Sequence, residues 1–299
     1  MNRQVKIAVI QPPAWVAPDS GKNAATCGLE LFEQAADGKP DIVCLPEYFN
    51  CSDRLKAGCY DTCTNGAQDF LAHFSDRARA IGCYVLLPLV IEVDGHRYNR
   101  AYLIGRDGEV VGFFDKIHIT KTESSEMGIE AGNLWPVFDL DFGRVGIMIC
   151  YDGCFPESAR ILALAGSKII FWPSMQRLYS REELELQMRS HAYFNFTTIV
   201  RSSYGGALSG DPAAHRMVGL SGVCGNDGKL LTSLDTCSGW TAATVDLRHE
   251  LCGQRTFGGQ VGSLREMRFE DRRTDVYTIL NEPRHTVIKP DNCGSKICG

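Results

Sequence analysis

The sequence contains no apolar run approaching the ~18–20 residues that a membrane span needs. It has no excess of positive charge: 31 Lys and Arg stand against 36 Asp and Glu, for a formal net charge of -5. That balance argues against a nucleic-acid binder, which needs a basic face to neutralise phosphates, though it leaves room for a local basic patch. Although there are 13 cysteines, none forms a Cys-x-x-Cys pair, and the number is odd. Cys51, Cys59 and Cys63 lie close together and Cys293 and Cys298 end the chain, but these spacings match no standard zinc pattern. Free thiols in a reducing compartment are the simplest reading. No Gly-x-x-x-x-Gly-Lys-Ser/Thr loop occurs, which removes nucleotide binding of the P-loop kind. The first apolar stretch, Val5 to Ile10, is too short for a signal peptide and runs directly into Gln11-Pro12-Pro13. It reads as a first strand, and a cytoplasmic protein is expected.

What is present is an alternation of strand and helix patterns over 299 residues. Strands are expected at Val5–Ile10, Ile42–Leu45, Tyr84–Val93, Tyr98–Ile104 and Val110–Phe114, with hairpin signals at Asp94-Gly95 and Asp107-Gly108. Helical spacing runs from about Asn23 to Ala36 and from Phe70 to Ile81, stopped by Gly38 and Gly82. A second half repeats the theme. Strands are expected at Val145–Ile149, Ile169–Trp172 and Thr198–Ser202, and helices at Pro156–Ala165 and Arg181–Phe196. A hairpin of Val218–Val223 and Lys229–Leu231 follows, and then a strand at Trp240–Val245. With no linker-like stretch, 1–299 reads as one domain of two similar halves, ending in an extended tail from about residue 247. Two stacked sheets with helices outside are the expected α/β layering.

Three places combine a strand end with a reactive side chain, where open α/β sheets put their chemistry. Glu47 follows the apolar run Val43-Cys44-Leu45-Pro46, and desolvation there would lift its pKa toward that of a general base. Lys116, in Asp115-Lys116-Ile117-His118, could stabilise an oxyanion and lower a neighbouring thiol pKa. Cys150 ends Val145-Gly146-Ile147-Met148-Ile149 and precedes the helix at Pro156, a strand–turn–helix arrangement like a nucleophile elbow. A helix N-terminus there would favour the thiolate. Taken singly, the Glu and the Lys read as well as a surface carboxylate and a snorkelling amine. The Cys is as much a candidate nucleophile as one more buried thiol.

Together they are far more specific. Pro46-Glu47-Tyr48, Lys116-Ile117-His118 and Ile149-Cys150-Tyr151-Asp152 through Phe155-Pro156-Glu157 resemble, in order and spacing, the motifs of the nitrilase superfamily of carbon–nitrogen hydrolases. The resemblance runs from Val5 to about Tyr277 and includes Tyr98-Asn99, Phe171-Trp172-Pro173 and Arg272-Arg273. It implies a four-layer α-β-β-α sandwich assembled as a homodimer or larger, with no metal or cofactor. In the mechanism it implies, Cys150 attacks the substrate carbon and Glu47 carries the proton. Lys116 and the Tyr151 backbone N–H hold the oxyanion, and water then hydrolyses a thioester. The family uses a second Glu between the Lys and the Cys. Glu126, six residues before Gly132, is the best match, with Glu123 and Glu130 as alternatives.

Tyr48, Tyr151, Phe155 and Trp172 are candidate walls of a small-molecule pocket, or else core aromatics. Relatives acting on N-carbamoyl amino acids often carry Arg shortly after the nucleophile, where this chain has Gly153 and Cys154; Arg177 or Arg201 could serve instead. Nitrilases usually follow the Cys with Trp-Glu, so Tyr151-Asp152 points to amides. The expected reaction is hydrolysis of a small linear amide or carbamoyl compound, releasing ammonia or an amine. A nitrilase acting on a small nitrile and an inactive, binding relative are the alternatives. A papain-like protease would need a paired His and its Cys-Gly-Ser-Cys-Trp pattern, which is absent.

Overall fold

The computed structural model describes residues 4–51, 63–177, 180–206 and 217–281. Cys59, Cys293 and Cys298 lie outside them. The chain divides into two compact units, Met1–Leu251 and Cys252–Gly299.

In the first unit β1 (Gln4–Gln11) is followed by α1 (Ala24–Asp37), β2 (Ile42–Cys44), α2 (Ala67–Ile81), β3 (Tyr84–Val93), β4 (His96–Ile104) and β5 (Val110–Asp115). A short α3 (Lys121–Ser125) leads to β6 (Val137–Leu140), β7 (Gly143–Ile147), α4 (Pro156–Leu164), β8 (Ile169–Pro173), α5 (Arg181–Asn195) and β9 (Thr198–Ser202). The unit closes with β10 (Gly222–Cys224), β11 (Leu230–Ser233) and β12 (Gly239–Asp246).

These strands form two six-stranded sheets, ordered β12-β1-β2-β3-β4-β5 and β11-β10-β9-β8-β7-β6. In the first, β1, β2 and β3 are parallel while β12, β4 and β5 pair antiparallel. In the second, β7, β8 and β9 are parallel and β6, β10 and β11 antiparallel. The two sheets thus repeat one pairing pattern, and the similar halves of the sequence are halves of the fold.

Because both faces of each sheet are covered, the parallel strands are continuously apolar rather than alternating in polarity. Ile7, Val9, Ile42, Cys44, Val145, Ile147, Phe171 and Val200 meet between the sheets in one buried cluster. The intervening Ala8, Ile10, Val43 and Leu45 face outward onto Phe32 and Ala35 of α1 and Phe74 and Ala78 of α2. On the second sheet Met148, Ile170, Trp172 and Ile199 pack under Ala159 and Leu162 of α4 and Met188 and Ala192 of α5. The result is an α-β-β-α sandwich of the expected kind.

Local chemistry sets the helix ends. The Asn23 side chain accepts from Thr26 N at 2.7 Å to cap α1, and Gly82, at φ +67°, ends α2. Several expected boundaries shift: β7 spans Gly143–Ile147 rather than Val145–Ile149, and β11 spans Leu230–Ser233 rather than Lys229–Leu231. α2 begins at Ala67 rather than Phe70, after Gly66 at φ +74°. β10 begins at Gly222 rather than Val218, because Gly219 and Leu220 both adopt left-handed backbone, at φ +70° and +55°, that no strand admits. The second unit, where an extended tail was expected, carries a hairpin of β13 (Cys252–Gln254) and β14 (Val261–Ser263) followed by α6 (Leu264–Glu270). Among the described residues no helix is long and apolar enough to cross a membrane.

Phe74 is fully buried and makes edge-on ring contacts with Phe32 and Phe49 at 5.0 and 5.5 Å. Phe74→Ala should cost about 3–5 kcal/mol of unfolding free energy through the cavity it leaves. Urea denaturation of the two proteins at equal temperature measures it.

Candidate active site

The site is assembled from strand ends of both sheets. After β2 the chain turns at Pro46, and Glu47 is buried with Tyr48 next to it at φ +59°. The turn is pinned by Leu45 N to Leu86 O at 3.0 Å, Phe49 N to Pro88 O at 3.0 Å and the Tyr204 hydroxyl donating to Glu47 O at 2.9 Å. After β5, Lys116 N donates to Asn99 O at 3.0 Å and Lys116 O accepts from Gly132 N at 2.8 Å, so its backbone is held from both sides. A Cβ at Gly132 would lie 2.2 Å from Asp115 O, so that approach requires glycine.

Lys116 is 1% exposed, and its Nζ lies 2.9 Å from Glu47 Oε1 and 2.8 and 2.9 Å from the two oxygens of Glu123. Asn99 Nδ2, from β4, bridges the same two carboxylates at 2.8 and 3.0 Å. Glu123 also accepts from the Tyr48 hydroxyl at 2.5 Å and from Thr120 N and Oγ1 at 2.9 and 2.8 Å. Three charges out of water would each carry a penalty of several kcal/mol, and this density of bonds is what offsets it. Glu47 Oε2 is buried without a nitrogen or oxygen partner.

The second carboxylate beside Lys116 is therefore Glu123, not Glu126. Glu126 ends α3 and is exposed, and Glu130 is exposed and contacts His96 at 2.6 Å. The spacing Thr120-x-x-Glu123 is a capping box, with Thr120 Oγ1 accepting from Glu123 N at 3.3 Å. That motif was legible before the structure and distinguishes Glu123 from its neighbours.

Cys150 follows β7 at φ +46°, a left-handed conformation that costs energy for a non-glycine residue and marks functional turns. It opens a single 3₁₀ turn, Cys150–Cys154, ahead of α4. Four hydrogen bonds hold the turn. Asp152, fully buried, accepts from Ile149 N at 2.9 Å and from His118 N at 2.8 Å, and lies 2.8 Å from His118 Nδ1. Trp172 Nε1 donates to Cys150 O at 2.9 Å. The indole also lies so close under Gly153 that a Cβ there would come within 2.2 Å of its ring.

The half-buried Cys150 thiol is within hydrogen-bonding reach of the Glu47 carboxyl and of the Met175 backbone amide. Burial raises the Glu47 pKa above the usual carboxylate range, although Lys116 pulls the other way. Burial and then the Glu47 charge push the Cys150 thiol well up, against Lys116. Burial and the Glu47 charge thus act on the thiol against the stabilising pull of Lys116 that the sequence pointed to. Burial also acts on Lys116 and Glu123, but mutual attraction outweighs it. Lys116 ends up held more firmly protonated, and the Glu123 carboxyl lies below its ordinary value.

The carbon-nitrogen hydrolase family model matches residues 6–251. The chain belongs to that family. A carbon-nitrogen hydrolase from Helicobacter pylori superposes with a TM-score of 0.76 at 25% identity, over 94% of this chain and 99% of that one. An N-carbamoylputrescine amidase of Arabidopsis thaliana is 27% identical over 225 residues, covering 70% of this chain and 72% of that one. A probable hydrolase of Bacillus subtilis is 37% identical over 146 residues, 46% of this chain but only 28% of that relative's length.

The remaining candidates of this carbon-nitrogen hydrolase separate by position. Tyr48 is buried and bonded to Glu123. Tyr151 is exposed, and Phe155 stacks on His118 with ring centroids 3.8 Å apart. Trp172 is fully buried in the helix-side core and supports the Cys150 turn rather than lining open space. Arg177 is exposed and Arg201 fully buried. Cys51 and Cys63 sit in an apolar cluster with Tyr48 and Tyr204. Tyr204 and the Met175 amide carried no sequence signal, and Asn99 entered only as part of Tyr98-Asn99, with no role assigned; their contributions come from groups brought together by folding.

Glu123→Gln should lower kcat/KM on the order of a hundredfold, since it removes half of the counter-charge around Lys116. Glu126→Gln should leave it within about twofold, as expected of an exposed surface residue. Steady-state assays of the two variants side by side check the assignment, and a large loss in Glu126→Gln with none in Glu123→Gln would reverse it.

Proposed function

We propose that this carbon-nitrogen hydrolase cleaves a non-peptide C–N bond in a small linear amide or carbamoyl compound through a thioester on Cys150. The observation that carries the reading is the pairing of the thiol with a desolvated Glu47 whose other oxygen is bonded by Lys116 and Asn99. Cys150 gives its proton to Glu47 as the sulfur bonds to the carbonyl carbon. An ammonium has three hydrogens, and two are used on Glu47 and Glu123. The third faces the second Glu123 oxygen at 2.9 Å and turns from it to the oxyanion that forms, which the Tyr151 backbone N–H also holds. Glu47 passes its proton to the leaving nitrogen, which departs as ammonia or an amine. It then takes a proton from water, whose oxygen attacks the thioester carbon and releases the acid and the thiol. Similarity to an N-carbamoylputrescine amidase supports the carbamoyl class, and Tyr151-Asp152 after the nucleophile supports amides over nitriles.

An ammonia-release screen tests this. It should cover linear aliphatic amides, ω-amides of dicarboxylic acids, N-carbamoyl amino acids, carbamoyl amines and nitriles. Turnover of an amide or carbamoyl compound is expected, and its loss in Cys150→Ala. Nitriles turned over faster than the matching amides would overturn the reading, as would retained hydrolysis in Cys150→Ala.

The proton chemistry adds a pH dependence. Glu47 acts only when ionised, and its raised pKa means the base form is lost as pH falls through a value above the ordinary carboxylate range. The raised thiol pKa means that no thiol ionisation should appear near the ordinary cysteine value. The pH profile of kcat/KM should therefore show an acid limb displaced upward from about 4.3, the unperturbed Glu value. A limb at or below that value would contradict the assignment of Glu47 as base.

A further inference from the structure

The peptide unit that joins Cys150 to Tyr151 is engaged at one end and open at the other. Its oxygen, Cys150 O, accepts from Trp172 Nε1 at 2.9 Å. Its N–H, that of Tyr151, has no hydrogen-bond partner among the described residues. It lies near the start of a 3₁₀ turn, where the first N–H groups have no carbonyl of the turn to reach. This is the N–H that the hydrolase reading assigns to the oxyanion.

The indole that holds the other end has little freedom. Trp172 is fully buried near the end of β8, and Arg201 is its register partner on β9. The Arg201 guanidinium carbon lies 5.4 Å from the indole ring centre, within the range at which a cation is attracted to such a ring. His191 of α5 stands edge-on to the same indole, with ring centroids 5.8 Å apart and planes at 88°. Its Nε2 lies 2.8 Å from Gly153 O, and since a carbonyl only accepts, that nitrogen carries the hydrogen. On the side of the turn, a Cβ at Gly153 would come within 2.2 Å of Cζ2 and 2.6 Å of Nε1. The nitrogen edge of the ring is therefore pressed against the turn that carries Cys150.

We propose that Trp172 is a positioning residue for the oxyanion: by donating to the Cys150 carbonyl it orients the Cys150–Tyr151 peptide and strengthens the Tyr151 N–H as a donor. The proposal rests on the C–N hydrolase reading. In a trans peptide the C=O and N–H point opposite ways in one plane, so fixing the oxygen aims the hydrogen. Drawing electron density onto that oxygen also increases the double-bond character of C–N and leaves the N–H more positive. Chained hydrogen bonds reinforce one another in this way. Cys150 itself, at φ +46°, is in a strained conformation that its surroundings have to impose. The indole touches no reacting atom and acts through the backbone.

The test uses propanal and methyl methanethiosulfonate. When propanal reacts, the Cys150 sulfur bonds to its carbonyl carbon and the carbonyl π pair moves to oxygen. The thiol proton passes to Glu47, leaving an oxyanion in place of the one an amide would form. Methyl methanethiosulfonate makes a mixed disulfide with Cys150 as methanesulfinate leaves, and no oxyanion arises. Its rate at Cys150, followed by mass spectrometry of that peptide, reports whether thiol and Glu47 remain in place. Propanal binding is read as protection against it. Trp172→Phe keeps a ring and loses the N–H. Half-protection of this variant should need about tenfold or more propanal than the wild type, while its unprotected rate stays within about threefold. Benzothienylalanine incorporated at position 172 puts sulfur in place of the N–H within a ring of nearly the same shape. It should behave the same way, and it decides the matter if Trp172→Phe fails to fold. Equal protection of wild type and variants overturns the proposal. So does an unprotected rate that falls as far as the protection, since Trp172 would then only brace the turn. A wild type that propanal does not protect overturns it as well. Neither reagent requires turnover, so the hydrolase reading stands or falls separately, on the ammonia-release screen.

Discussion

The burial of Lys116 between Glu47 and Glu123 is the constraint on which the site depends. An ammonium removed from water is tolerated only with close counter-charges and satisfied hydrogens. Both carboxylates therefore have to be delivered to within 3 Å of one nitrogen by separate segments of chain. One comes from the turn after β2, the other from a capped helix, at a residue seven positions after the lysine. Asn99 and Tyr48 complete the cage. Glu47 is left with one oxygen saturated and the other not, the asymmetry that the proposed base role requires.

Cys150 is positioned from the second sheet by different means. Cys150 sits in a strained left-handed conformation that persists because its surroundings determine it from three sides. Asp152 joins its turn to the segment after Lys116 through His118, and Trp172 holds its carbonyl from β8. Gly153 is required because the indole leaves no room for a side chain. Glu47 and Cys150 thus stand on different sheets, and the apolar cluster between the sheets sets their separation.

Much of this was legible in the sequence, for identifiable reasons. Runs buried on both faces, such as Val5–Ile10 and Ile169–Trp172, announce themselves by unbroken apolar composition, and Gly38, Gly82 and Pro156 mark helix ends. Glu47, Lys116 and Cys150 were visible because each is a reactive group at a strand end and their motifs recur together. The short β6 and α3 were not legible: four or five residues carry no decisive periodicity. Glu126 was preferred over Glu123 from distance to Gly132 alone, while the deciding information lay in the cap at Thr120. The direction in which the Cys150 pKa moves could not be read either. It depends on whether burial and a nearby carboxylate outweigh a lysine and an amide, a balance of opposing effects that only three-dimensional placement settles.

The two-fold likeness of the sheets explains why the chemistry collects where it does. Each half runs three parallel strands in one direction, so each sheet has one edge where strand C-termini and their following turns gather. Stacking the halves with their interior faces together brings the turns after β2 and β5 opposite the turn after β7. Polar groups at those turns cannot reach the apolar interior cluster, nor are they covered by α1, α2, α4 and α5, which lie over the sheet faces. They satisfy one another instead. A fold of this kind supplies its own place for a buried polar network, and the residues at those strand ends decide what the network does.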